Sequence, residues 1–127
     1  MINNGETNMK ALMILQNMGA FDTYDCALKK QFHDNAKKVL REIGKRLGLD
    51  KSDFDVSSNK AGPAVTGEIH FHSDKLYITI GGLDNERVMY RSCNGRKDSC
   101  GGSNQWTELS ELLSDQFIER AKRIQFA

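Results

Sequence analysis

The chain is short of most features that announce a function. Proline occurs once, at Pro63, so no proline-rich linker or spacer is present and helical windows run uninterrupted. Long apolar runs are missing. The longest, Ala11-Leu12-Met13-Ile14-Leu15, falls far short of the roughly 20 residues a membrane-spanning helix needs, so no membrane is expected as partner. An excess of one charge is missing too. Eighteen Lys and Arg stand against 17 Asp and Glu, a formal net charge of +1. That balance argues against a generally basic nucleic-acid binder and against an acidic DNA mimic, and leaves electrostatic recognition to local patches. Cysteines number three, an odd count that suits a reducing compartment better than a disulfide framework. No secretory pattern opens the chain: Glu6 accompanies Lys10, the apolar run is short and no small-residue cleavage site follows. These absences together point to the cytoplasm. Met1–Glu6 reads as a loose leader, with Met9 as an alternative start.

With 127 residues, 39% of them hydrophobic, the chain suits a single domain, 1–127, around one core. Residues 7–18 place Met9, Leu12, Met13, Leu15 and Met18 at spacings of a buried helix, which Gly19 closes. Core filling is the reading for those methionines, with a pliable binding stripe as its rival. A longer helix is expected over 23–47, capped by Thr23 or Asp25. Phe32, Ala36, Val39, Leu40, Ile43 and Leu47 form its apolar face, and Gly48 its C-terminal left-handed residue. The opposite face collects Lys29, Lys30, Lys37, Lys38, Arg41, Lys45 and Arg46 against Asp25, Asp34 and Glu42. Such faces are usually just solvated, and some bind phosphates or an acidic partner.

The period then changes from 3.6 to 2. Phe54 and Val56, Ile69 and Phe71, Leu76, Ile78 and Ile80, and Val88 and Tyr90 each alternate with polar neighbours. Four strands with one apolar face each make an antiparallel meander covered on one side. A helical tail over 107–125 follows, with Thr107 or Ser114 as its cap. The predicted fold class is α+β, a two-layer domain of N-terminal helices, a four- to five-stranded antiparallel meander and a C-terminal helix. The uncovered sheet face should display Asp53, Asp55, Glu68, His70, His72, Tyr77, Thr79, Arg87, Met89 and Arg91.

Which residues could carry chemistry? His70 and His72 share a strand face, and with Cys93 and Cys100 they make a four-ligand zinc set on paper. The two cysteines stand seven positions apart, which is not the spacing of a zinc knuckle. A thiol enzyme would need Cys93 or Cys100 beside His70 or His72 and Asp98, and no nucleophile motif surrounds either cysteine. Gly95–Ser103 mixes cations with glycines as phosphate cradles do, without the P-loop's closing Gly-Lys-Ser/Thr or a Rossmann strand–turn–helix context. No cofactor is implied, and no signature argues for an enzyme.

Asn94-Gly95 is a strong hairpin signal. It should fold 96–100 back along 89–93 as a short fifth strand, with Arg96 and Lys97 at the tip. Gly101–Asn104 then bends into a helix to which Trp106 is expected to staple the loop.

The stretch "VMYRSCNGRKDSCGGSNQW" resembles a motif of an uncharacterised family of small proteins of bacteria, their phages and mobile elements: Arg-x-Cys-x-Gly-Arg-Lys-Asp-Tyr-x-Gly-Gly-x-Asn. Arg91, Cys93, Gly95, Arg96, Lys97, Asp98, Gly101, Gly102 and Asn104 stand at the matching places, and Ser99 replaces the tyrosine. The likeness spans residues 76–125 and brings no activity with it. It implies a phage or mobile-element setting in the cytoplasm of a bacterial host. Small factors of that setting often bind a host protein or ribonucleoprotein complex, and inhibition of a defence system such as CRISPR–Cas is one such role. The binding residues would be Arg91, Arg96, Lys97, Asp98 and Asn104 of the loop with His70, His72, Tyr77 and Arg87 of the sheet face. Two rival classes stand beside this one: a nucleic-acid-binding module using the same face, and a zinc- or thiol-dependent enzyme. Two copies could also pair as a homodimer.

Overall fold

The computed structural model describes residues 4–18, 26–59, 67–81, 86–96 and 101–127. These residues form an α+β fold of two layers, with three α-helices on one face of a five-stranded antiparallel sheet.

Helix α1 spans Asn4–Met18. It begins inside the stretch expected to be a loose leader, since propagation adds one hydrogen bond per residue and no proline stops it. Ala11, Leu12 and Leu15 are buried, whereas Met9 and Met13 are exposed. The expectation that both methionines fill the core is therefore corrected. Residues 9 and 13 form their own i, i+4 row, rotated away from the row at 11, 12 and 15 that meets the neighbouring helix.

Helix α2 spans Cys26–Arg46 and buries the predicted stripe Phe32, Ala36, Val39, Leu40 and Ile43, continued by Leu47. The proposed caps Thr23 and Asp25 lie outside the described residues. At the other end Gly48 takes φ +78°, with Gly48 N–H donating to the Lys45 carbonyl at 3.0 Å and Leu49 N–H to the Gly44 carbonyl at 3.0 Å. This pairing defines a Schellman stop. Not all of the predicted polar face is solvated. Glu42 is buried, accepting from Asn8 Nδ2 of α1 at 2.9 Å and from Arg46 Nε at 2.9 Å, because α1 packs along that flank.

Strands β1 (Phe54–Asn59), β2 (Glu68–Ser73), β3 (Leu76–Gly81), β4 (Arg87–Ser92) and β5 (Gln105–Glu108) lie in chain order. Asp53, assigned to the open face by alternation, belongs instead to a 3-10 turn over Lys51–Asp53. The strand beside β4 is 105–108, where Tyr90 pairs with Gln105 and Val88 with Thr107, whereas the fifth strand expected over 96–100 falls, but for Arg96, outside the described residues. Its one inward residue is Thr107, so hydrophobic alternation does not mark it. Thr107 accordingly caps no helix. After a 3-10 turn at Leu109–Glu111, helix α3 (Asp115–Gln125) starts at the other predicted cap, with Ser114 Oγ accepting from Phe117 N–H at 3.2 Å.

Helix α2 covers β1 and β2, and α3 covers β3 and β4. The core between the layers is one cluster, in which Phe54 stacks on Phe71 at 4.9 Å and Tyr90 meets Phe117 edge-on at 5.1 Å. No described helix is long and apolar enough to cross a membrane.

Candidate functional site

The sheet face turned away from the helices is laid out by register, since residues paired across antiparallel strands share a face. One row runs Asp55–His72–Tyr77–Arg91 and the next Ser57–His70–Thr79–Met89–Trp106. Arg87, opposite Glu108, stands beyond them.

Tyr77 is the hub of the first row. His70 stacks against its ring at 5.5 Å, His72 meets it edge-on at 5.2 Å, and the Arg91 guanidinium lies 5.1 Å from its centroid. The Tyr77 hydroxyl and the His70 Nδ1 are 2.7 Å apart, with Thr79 Oγ1 3.1 Å from the same nitrogen. With the proton on Nε2, His70 accepts from Tyr77 and turns its N–H toward Glu68 Oε2 at 3.6 Å. Burial under this cluster pushes the His70 pKa below its ordinary value, and His72 adds to the effect against the opposing pull of Glu68. His70 is therefore a neutral imidazole at neutral pH. Arg91 donates to Asn104 Oδ1 at 3.0 Å, while its Nε is buried without a hydrogen-bond partner among the described residues.

A second aromatic–cation pair closes the far side of the face. The Arg87 guanidinium lies 5.0 Å from the ring of Trp106, which is 50% exposed. The expectation that Trp106 staples the loop to a helix is thus corrected. Trp106 sits on β5, and alternation sends Thr107 inward and the indole outward. The signal that could have placed it was strand propensity in Gln-Trp-Thr-Glu, where Trp and Thr favour strands.

The motif loop holds itself to the sheet. Gly95 has φ +140° and its carbonyl lies 2.8 Å from His72 Nε2. Arg96 does not stand free at a hairpin tip: it donates to the Ser52 carbonyl and lies 3.5 Å from Asp74 and 3.7 Å from Asp55. Cys93 is buried and bridges to Gly101. Gly102 N–H reaches both the Ser92 carbonyl, at 3.2 Å, and Ser92 Oγ, at 3.0 Å, and a Cβ on either glycine would collide with Ser92. The Cys, Gly, Arg, Gly-Gly and Asn positions of the motif are thus accounted for by loop closure across one end of the face. Lys97, Asp98 and Cys100 lie outside the described residues.

The described members of the zinc set, His70, His72 and Cys93, are not brought together, and Cys100 lies outside the described residues. The Cys93 thiol is turned to the Ser73 carbonyl at 3.4 Å, and His70 and His72 are engaged as above. Among the described residues no group of three or more His, Cys, Asp or Glu is arranged to hold a metal ion. Neither histidine hydrogen-bonds Cys93, and the other members of the thiol set, Asp98 and Cys100, lie outside the described residues. Of the predicted binding residues, His70, His72, Tyr77, Arg91 and Asn104 form one cluster, Arg96 closes its end, and Arg87 pairs with Trp106 apart from them.

No family model, curated protein or solved structure matches the chain.

Proposed function

We propose that this chain is a protein-binding accessory factor that docks on a host protein or ribonucleoprotein complex through the open face of its sheet. Its setting, on this reading, is a phage or mobile element, where it inhibits a bacterial defence complex of the CRISPR–Cas kind. That setting rests on the resemblance carried by Arg91–Asn104. The docking reading rests on one observation above others: Trp106, half exposed, lies on the rigid sheet with Arg87 over its ring. Trp, Tyr and Arg are the residues on which interface energy concentrates. The charges of the face are mixed, with Arg87, Arg91 and Arg96 sharing it with Asp55, Glu68 and Glu108, as suits a protein partner better than a phosphate backbone.

The test compares wild type with Trp106→Ala/Arg87→Glu. The full chain, immobilised, retains a defined complex from lysate of a bacterial host carrying a defence system. The variant loses it and keeps the same urea midpoint. Truncating a buried-at-interface Trp typically costs about 2 kcal/mol or more, roughly thirtyfold in affinity. Identical partner sets for the two proteins overturn the reading.

A second reading has one observation in its favour: Tyr77, His70, His72 and Trp106 present ring systems on an open sheet, as single-stranded nucleic-acid binders do. Its mark is affinity for labelled single-stranded RNA or DNA that collapses between low and moderate salt.

A further inference from the structure

The cationic face of α2 is not used by the open sheet face, which lies on the other side of the sheet. Lys38, Arg41 and Lys45 follow one another at i, i+3 and i+7, a single row about 10 Å long. The structure sets that row along a groove of about 830 Å³ between α2 and β1, with Lys51 at its end and Leu49, Phe54 and Val56 among its lining residues. Three acids also line it, and two are engaged: Glu42 with Arg46 and Asn8, and Asp55 with Arg96. Lys38, Arg41, Lys45 and Lys51 make no ion pair among the described residues. The groove thus offers four cations free of ion pairs among the described residues, against three acids of which Glu42 is held by Arg46 and Asp55 shares Arg96 with Asp74.

Its other wall is a strand edge. β1 ends the sheet order and pairs only with β2 among the described residues. In an antiparallel pair every second residue turns its N–H and C=O away from the partner, so within residues 54–58 the outward backbone groups of β1 find no strand partner among the described residues and lie beside apolar lining and a cationic rim.

We infer that this groove binds an extended acidic peptide segment, which adds to the sheet as a strand on the free edge of β1 under the α2 cations. Main-chain bonds to β1 give the affinity, and carboxylates meeting Lys38, Arg41 and Lys45 give the selectivity. A second copy of this chain fits the edge less well. Pairing β1 with β1 about a two-fold axis would bring both α2 cationic rows together across the new sheet. A nucleic acid would use the cations and leave the backbone edge and apolar lining unused.

The probe is a labelled hexapeptide alternating Glu and Val, titrated into the full chain by anisotropy and by amide chemical shifts. Binding is expected with shifts concentrated on Phe54–Asn59 and on 38–45 of α2. Arg41→Glu/Lys45→Glu should weaken it about tenfold or more, and the Lys-Val counterpart should not bind. N-methylation at the three alternate positions facing β1 abolishes binding, whereas methylation at the other three leaves it. Trp106→Ala/Arg87→Glu binds the peptide as wild type does, which separates this inference from the sheet-face reading. Four results overturn it: no shifts on β1, equal binding of both methylated peptides, displacement of the peptide by a thymidine dodecamer, or a dimer in sedimentation that the peptide dissociates.

Discussion

His70 is a neutral base on an otherwise wet face, and its state has a consequence for stability. Burial against Tyr77 disfavours the imidazolium, and the folded pKa lies below the ordinary value of 6.5. The sign follows from linkage. As pH falls through 6.5 the unfolded chain takes up this proton before the folded chain does, so stability falls with pH from there down to the folded pKa. A nuclear magnetic resonance titration of the His70 ring should show its midpoint below 6.5. Urea midpoints taken between pH 7 and 5 should decline less in His70→Gln than in wild type; an equal decline in both assigns the pH dependence to other groups. The amide of Gln at 70 can still accept from Tyr77, so the variant removes the titration while keeping a partner for the hydroxyl.

Where α2 crosses β1, one glycine sets the approach of helix to sheet. A Cβ on Gly44 would enter the ring of Phe54, which is itself buried and stacked on Phe71. Alanine is the better helix former by about 1 kcal/mol, yet overpacking of this kind costs about 1–3 kcal/mol. Gly44→Ala should therefore destabilise the fold by about 1 kcal/mol net, read as a lower urea midpoint at unchanged slope. An unchanged or higher midpoint means the Phe54 ring yields freely. The same crossing shows which parts of the fold were legible beforehand. The stripe Phe32–Ile43 of α2 and the alternation in β1 to β4 are periodic over many residues, so helix, meander and open face could be read directly. Gly44 was not legible, because its role depends on a ring ten residues away. β5 was missed because its only inward residue is Thr107, and with it went the outward position of Trp106. Arg96 was placed at a free tip because Asn94-Gly95 promises a tight turn; its acidic partners Asp55 and Asp74 come from other strand ends that no local pattern connects to it.

The molecule as a whole has one core under one sheet, with different helices over its two halves. α2 lies over β1 and β2, α3 lies over β3 and β4, α1 packs on α2 and reaches the turn after β5, and the buried residues of both halves form a single cluster. The central strands β2, of one half, and β3, of the other, pair along their length, so neither half has a free edge where the two meet. A domain built this way should unfold in one step even when only one half is injured. Phe117 of α3 is fully buried against Tyr90 on the β4 side, far in sequence from α2. Phe117→Ala should cost about 3–5 kcal/mol, a large part of the roughly 5–15 kcal/mol available to a domain. If the core is one unit, helix loss by circular dichroism and the fluorescence change of Trp106 on β5 shift together in the variant. Amide protection of Ile43 in α2 then falls by the same free energy as that of Ile78 in β3, provided both exchange through global opening. Separate transitions, with Ile43 protection kept, would mean that α1, α2, β1 and β2 hold together alone.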